Sequence, residues 1–319
     1  MKIVVTGALG HIGSKLIRKL PLSFPNSNII LIDNLLTQRY CSLFDLPKEG
    51  KFAFFEKDIV NQNIKHLFEN SSVVIHLAAI TDATSSFENA LEFENNNFNA
   101  TKIIANICFE KKIPLLTLSS TSVYGTQEKI VDENCKVSDL NPQSPYAEIK
   151  LKEENHLRKL YEKQGLRFSS LRFGTIFGTS PGMRFHTAVN KFCWQAVSGT
   201  PLTIWKTALN QKRPYLDLDD AVNSIVFFIK QNIFNGEVYN IVTCNATVKE
   251  IIDCIRNHIQ QLEIEFVETK IMNQLSYNVS NKKIKSLGFK FEGKLEKGIF
   301  DTIKLIENLN FKNKLGLYE

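Results

Sequence analysis

Lys2-Ile3-Val4-Val5-Thr6-Gly7-Ala8-Leu9-Gly10-His11-Ile12-Gly13-Ser14 is the stretch on which the reading of this chain turns. Ile3, Val4, Val5 and Thr6 are all β-branched, which suits a strand. Three glycines at G-x-x-G-x-x-G spacing then interrupt the run, and a helix-like segment follows. Glycines there let the turn be tight, bring the backbone close to a pyrophosphate and allow the helix to pack against the strand. The helix that opens at the turn presents unpaired N–H groups and a partial positive charge to phosphate. The next strand-like run ends in Asp33, twenty residues beyond Gly13, with Asn34 after it. A carboxylate at that place accepts the adenosine ribose hydroxyls and repels a 2′-phosphate, favouring NAD over NADP; Arg39 nearby works against this preference.

Outward from the turn, short apolar runs recur at 2–5, 29–32, 52–55, 73–77 and 115–118. They are continuously apolar rather than alternating, as strands buried on both faces of a parallel sheet are. Helical patterns lie between them, clearest over 91–110 and 145–164. The second has Ser144 as a candidate N-cap, Pro145 in its first turn and Gly165 as its stop. This β/α alternation predicts an α/β fold, a Rossmann-type doubly wound parallel sheet. Beyond Gly178 the pattern loses regularity, with a helix expected over 219–231. The expected division is 1–174 as an NAD-binding domain and 175–319 as mainly a smaller C-terminal α/β substrate lobe, some of whose chain returns to the first domain.

Composition narrows the function classes. Among 319 residues, Lys plus Arg is 39 and Asp plus Glu is 33, so the net charge is +6. That surplus is dispersed; runs such as Lys111-Lys112 are too short for a nucleic-acid arm, although a basic cleft for an anionic small molecule fits. The six cysteines show neither C-x-x-C pairs nor metal-ligand spacing, and read as free thiols of a reducing compartment. No apolar stretch approaches the length of a membrane span, and the first residues read as a strand, not a signal peptide. A soluble cytoplasmic protein is expected, binding neither nucleic acid, nor membrane, nor metal.

The chemistry gathers around two later stretches. One is Ser119-Ser120-Thr121-Ser122-Val123-Tyr124-Gly125, at a strand end; the other is Ser144-Pro145-Tyr146-Ala147-Glu148-Ile149-Lys150. On a helix, Tyr146 and Lys150 share one face as i, i+4 neighbours. A phenol ordinarily ionises near 10, and a nearby ammonium and the positive nicotinamide ring both favour the phenolate. Reaching about 7 takes roughly 4 kcal/mol, at 1.36 kcal/mol per pH unit. Such a phenolate can remove a sugar hydroxyl proton while the same carbon gives hydride to nicotinamide.

Together, Gly7–Gly13, Asp33, Asp58-Ile59, His76-Leu77-Ala78-Ala79, Ser119–Gly125, Ser144-Pro145-Tyr146-x-x-x-Lys150, Leu171-Arg172-Phe173 and Arg213-Pro214-Tyr215 resemble the extended short-chain dehydrogenase/reductase family. Within it the chain is most similar to NAD-dependent nucleotide-sugar epimerases and dehydratases of the UDP-glucose 4-epimerase type, over nearly its whole length. The resemblance implies Ser120, Tyr146 and Lys150 as catalytic residues, with Thr121 as the alternative hydroxyl. It implies NAD held by Gly7, Gly10, His11, Ile12, Gly13, Asp33, Asn34, Asp58, Ile59, Leu77, Ala78, Ala79, Tyr146, Lys150, Phe173 and Ile176, and by Asn97 to within one residue. Apart from this role in the turn, His11 reads as a packing residue. For the sugar nucleotide, the resemblance implies Ser120, Thr121, Tyr146, Thr175, Arg184, Asn190 and Arg213; a guanidinium suits a diphosphate. A homodimer is implied by analogy.

Two departures bear on the reaction. The 4,6-dehydratases of the family carry Asp-Glu after the catalytic Thr, because loss of water needs a second acid and base. Thr121 and Ser122 stand there instead. Thr175 stands where an asparagine commonly contacts the diphosphate, and it offers one donor rather than two. The expectation is therefore C4 epimerisation of a UDP-sugar through a 4-keto intermediate. The alternatives are a 4,6-dehydratase, a keto-sugar reductase, or a non-catalytic dinucleotide-binding protein.

Overall fold

Strand Lys2–Thr6 sits inside a seven-stranded sheet in the order Val238–Ile241, Phe168–Phe173, Leu115–Ser120, Val73–His76, Lys2–Thr6, Asn28–Asp33, Lys51–Glu56. Every neighbouring pair is parallel. The computed structural model describes residues 1–81, 85–125, 130–268 and 276–309. The unbroken apolar runs have a direct cause. Ile3, Val5, Val73 and Ile75 face one core, while Val4 and Val74, between them in sequence, face the other. Because successive side chains point to opposite faces, a strand covered on both must be apolar throughout. Helices His11–Ser23 and Leu218–Lys230 cover the first face; Asn99–Glu110 and Pro145–Gln164 contribute to the second.

Helix Pro145–Gln164 follows its sequence signals. The Ser144 hydroxyl accepts from the Ala147 N–H at 3.2 Å, Pro145 begins the first turn, and Gly165 ends the helix at φ +77°. Helix Leu218–Lys230 starts one residue before the expected 219, because the Asp217 carboxylate caps the Asp219 N–H at 2.8 Å. The expected single helix over 91–110 is three pieces: Ala90–Phe93, a π-helical turn Glu94–Phe98, and Asn99–Glu110. Asn97 lies in the wide turn. Its Oδ1 accepts from the Ile80 N–H and its Nδ2 donates to the Ile80 carbonyl, both at 2.8 Å. The π turn accompanies this bidentate hook, in keeping with the frequent place of such bulges at functional sites.

Strands Phe168–Phe173 and Val238–Ile241 have no counterpart among the expected strands. Phe168–Phe173 reads Phe-Ser-Ser-Leu-Arg-Phe and is buried at every position, so its polar residues conceal a central strand. Beyond it, Thr175–Phe177, Lys212–Asp217 and Cys244–Thr247 form a second, three-stranded sheet. Helices Ala188–Ser198, Val248–Arg256 and Leu295–Ile306 close around Phe177, Ile251 and Ile299. The last ten positions of the expected substrate lobe, 310–319, lie outside the described residues. Among the described residues no helix is long and apolar enough to cross a membrane. All six cysteines are free.

Candidate active site

The glycine turn is built by close approach. Gly7 has φ +65°, and its N–H donates to the Ile32 carbonyl at 2.8 Å. A Cβ at Gly7 would lie 2.5 Å from the Ala78 nitrogen, so the exit of strand Val73–His76 runs directly over the turn. At the carboxyl ends of the strands, where the order reverses between Lys2–Thr6 and Val73–His76, a cavity of about 340 Å³ opens. Open α/β sheets bind ligands in that crevice. Of the expected cofactor residues, Gly7, Gly10, Asp33, Asn34, Asp58, Ile59, Leu77, Ala78 and Ala79 line it. Asp33 is held in place by the Leu9 N–H on Oδ2 and the Leu35 N–H on Oδ1, each at 3.0 Å. A carboxylate has lone pairs beyond these two for a ribose hydroxyl.

The remaining expected cofactor residues lie elsewhere. Gly13 packs the first helical turn on the Gly7 carbonyl. His11 and Ile12 are off the cavity wall. The His11 Nε2–H donates to the Gly178 carbonyl at 3.0 Å, and burial pushes its pKa down to about 3, leaving a neutral packing residue. Asn97 is fully buried on Ile80, and the adjacent Asn96 is the asparagine at the wall. Arg39, Lys57 and Thr81 also line the cavity, as does His186. Lys57, Thr81 and His186 belong to no motif; only the loop paths bring them there.

Ser120, Tyr146 and Lys150 are brought together. Strand Leu115–Ser120 ends beside Phe168–Phe173, with Ser120 opposite Phe173. The Thr121 hydroxyl donates to the Phe173 carbonyl at 3.2 Å and is buried, which leaves Ser120 as the hydroxyl that acts on the Tyr146 phenol. Ser122 donates to the Ser120 oxygen at 2.8 Å. Arg184, on the cavity wall, bonds the Thr81 hydroxyl and lies close enough to Tyr146 to favour its phenolate.

Lys150 does not act on Tyr146 alone. Its Nζ donates to Glu153 Oε2 at 2.9 Å, and both side chains are buried. Burial by itself would lower the Lys150 pKa; Glu153, then Tyr146 and Glu154, outweigh that and raise it. For Tyr146, burial raises the pKa and Lys150 lowers it, while Glu153 works against Lys150. The balance among the protein's own groups lies above the ordinary phenol value. Burial is the largest cause of that rise and Glu153, which shares the Lys150 ammonium, adds to it, so the protein's own groups do not by themselves supply the expected lowering.

The expected substrate residues stand as follows. Arg213 stacks over the Tyr277 ring at 5.8 Å and donates to Gln211 at 3.0 Å. Asn190 is fully buried, and its amide ties the Gly178 and Arg184 backbone together, donating to the Arg184 carbonyl at 2.9 Å. Thr175 and Ile176 lie on the second sheet opposite Tyr215 and Leu216. Phe173 is buried beside Ser120.

Comparison with known proteins places this chain in a family. The uncharacterized UDP-glucose epimerase YtcB of Bacillus subtilis (strain 168) is 31% identical over 267 residues, covering 81% of this chain and 82% of that one. The trifunctional dehydratase/epimerase/reductase RHM2 of Arabidopsis thaliana is 28% identical over 94% of this chain; the match takes in 46% of that protein, so the chain spans about half its length. Among solved structures, UDP-glucuronic acid 4-epimerase from Bacillus cereus, in complex with UDP-glucuronic acid and NAD, superposes with a TM-score of 0.87 at 26% identity, covering 99% of this chain and 100% of that one. UDP-N-acetylglucosamine 4-epimerase from Methanobrevibacter ruminantium M1 shares the fold, with a TM-score of 0.84 at 22% identity over 97% of this chain and 99% of that one. The model of the NAD dependent epimerase/dehydratase family matches residues 3–242, and the chain belongs to that family.

Proposed function

We propose that this protein is an NAD-dependent epimerase that inverts C4 of a UDP-sugar. The observation that carries the reading is the meeting of Ser120, Tyr146 and Lys150, with Arg184 of the cavity wall acting on Tyr146 and with Thr121 and Ser122 where elimination would require carboxyl groups. NAD fits the residues present. Gly7 and Gly10 on the cavity wall would let the pyrophosphate approach the backbone, Asp33 would hold the adenosine ribose, and Asp58 with Ile59 would border the adenine. When bound, NAD supplies a reversible acceptor for hydride from the sugar carbon. Tyr146 Oη takes the proton of the C4 hydroxyl, and the Ser120 hydroxyl orients that oxygen. The same phenol returns the proton to the carbonyl oxygen once the sugar has presented its other face. Arg213 and Arg184 bind the diphosphate, so the sugar can turn while its nucleotide stays in place. Thr121 and Asn190 support this site from behind by fixing the Phe173 and Gly178–Arg184 backbone.

In this reading residues 1–174 serve the cofactor and 175–319 mainly the substrate, and the enzyme works in the cytoplasm as a homodimer, a state that light scattering tests. Incubation with UDP-glucose, UDP-glucuronic acid, UDP-N-acetylglucosamine and dTDP-glucose, followed by NMR, tests the reaction. The expected product is a C4 epimer formed without net redox, with NAD retained by the protein. A C6 methyl signal from a 4-keto-6-deoxy product, or stoichiometric NADPH consumption, would overturn it. Tyr146→Phe should abolish turnover, by about 10²–10⁴-fold for a lost acid–base group, while NAD stays bound.

A further inference from the structure

Glu153 has no part in the steps above, yet it bonds Lys150 directly. The two sit one helical turn apart on Pro145–Gln164, 2.9 Å between Nζ and Oε2, with side chains 7% and 6% exposed. Burial raises the Glu153 pKa, and the Lys150 ammonium at Oε2 opposes that rise by favouring the carboxylate. The Thr101 hydroxyl, from helix Asn99–Glu110, lies close enough to favour the charged carboxylate. Thr101 Oγ1 lies 3.2 Å from His76 Nε2, and His76 Nδ1 lies 2.7 Å from Thr6 Oγ1. Buried polar groups therefore gather between the sheet and the Glu153–Lys150 pair, and Lys150 Nζ lies 6.0 Å from the centre of the Tyr146 ring.

We propose that Glu153 is a positioning residue for the proton transfer: by engaging the Lys150 ammonium it divides that charge between itself and Tyr146, and so sets the pH range in which the phenol works as a base. The inference rests on Tyr146 being the base. The groups facing the pair are few. On the same helix they are Tyr146 and Glu154, and Glu154 is itself engaged by Arg172 at 2.6 Å from strand Phe168–Phe173. From helix Asn99–Glu110 there is the neutral Thr101, and from strand Val73–His76 there is His76. Burial, then the Lys150 charge, holds the His76 pKa down at about 3, so it stays uncharged. Arg184 and Ser120 act on Tyr146, both favouring its phenolate. Among these, Glu153 is the negative charge that acts on both Lys150 and Tyr146.

Glu153→Gln keeps the side-chain shape and removes the charge. With NAD bound, wild type, E153Q and Y146F are titrated upward in pH by tyrosinate absorbance, with Y146F subtracted to isolate Tyr146. The pH dependence of kcat/KM is measured in parallel on the UDP-sugar that is turned over. The expected result is a Tyr146 transition about one pH unit lower in E153Q, with the acid limb of kcat/KM moving with it. A transition that stays in place or moves upward overturns the proposal, even if melting temperature or kcat falls, since those would follow from packing alone. Glu153→Ala carries the same expectation and decides the matter if E153Q does not fold. The two failures are distinguishable. Y146F turning over like wild type refutes the base assignment, whereas an inactive Y146F beside an unmoved E153Q refutes Glu153 alone.

Discussion

Replacing Gly7 by alanine separates two costs that the structure keeps distinct. Gly7 and Gly165 both occupy the left-handed region, at φ +65° and +77°. Alanine there costs about 1–2 kcal/mol. At Gly165 that is the whole expected effect, because an added Cβ meets nothing within 4 Å. At Gly7 the Cβ would stand 2.5 Å from the Ala78 nitrogen, 2.6 Å from its Cα and 2.7 Å from the Leu77 carbonyl carbon. Ordinary contact is roughly 3.5–4.0 Å, so backbone must move by about 1 Å. Overpacking of this kind adds about 1–3 kcal/mol, giving roughly 2–5 kcal/mol in all. The displaced backbone is the cavity wall at Leu77–Ala79, and Ile80 just beyond it is tied to Asn97. NAD affinity should therefore fall in G7A, tenfold for each 1.4 kcal/mol expressed at the site. In G165A it should not change. Urea denaturation without NAD measures the stabilities, and titration calorimetry measures the affinities. A G7A protein no less stable than G165A, binding NAD as wild type does, would refute the reasoning.

Two further substitutions test the frame behind the site. Arg172 donates to both oxygens of Glu154, at 2.9 and 2.6 Å, and to the Tyr124 hydroxyl at 2.9 Å, all in the interior. Arg172→Met leaves a buried carboxylate alone and should cost about 3–5 kcal/mol in chemical denaturation, whereas the double variant with Glu154→Leu should recover most of it; no recovery would count against the pairing. Asp217, the cap of helix Leu218–Lys230, has its pKa raised from the ordinary 3.8 to about 6 by burial, with Asp220 and Asp219 adding to the rise. A raised folded pKa means that the protonated form stabilises the fold at low pH and that this contribution is lost as pH climbs through 6. Asp217→Asn should thus gain on wild type between about pH 4 and 6, by roughly 3 kcal/mol at most, and hold that gain above. Thermal melts across this range check it, and a difference independent of pH would contradict the assignment.

Much of the fold was legible because its signals are local. The strand runs at 2–5 and 73–77 were readable from Ile3-Val4-Val5 and Val73-Val74-Ile75, and the helix 145–164 from Ser144, Pro145 and Gly165. Strand Phe168–Phe173 was not, since Ser169, Ser170 and Arg172 look like surface residues. Arg172 is interior because Glu154, eighteen positions earlier, meets it there. The helix expected over 91–110 carried no mark of its π turn, because the group that holds Asn97 is the backbone of Ile80.

The candidate site divides along the same line. The glycine spacing, Asp33 at a strand end and the Tyr146–Lys150 interval follow from steric and helical rules that act within a few residues, and a linear reading reaches them. Their electrostatic state does not. Whether Lys150 lowers the Tyr146 pKa depends on burial and on Glu153, and burial is a sum over helix Asn99–Glu110, the sheet and the segment carrying Arg184. Glu153 in sequence is one of several charged residues on a polar helix; only packing decides that it faces inward and takes a share of the charge that Tyr146 would otherwise have to itself.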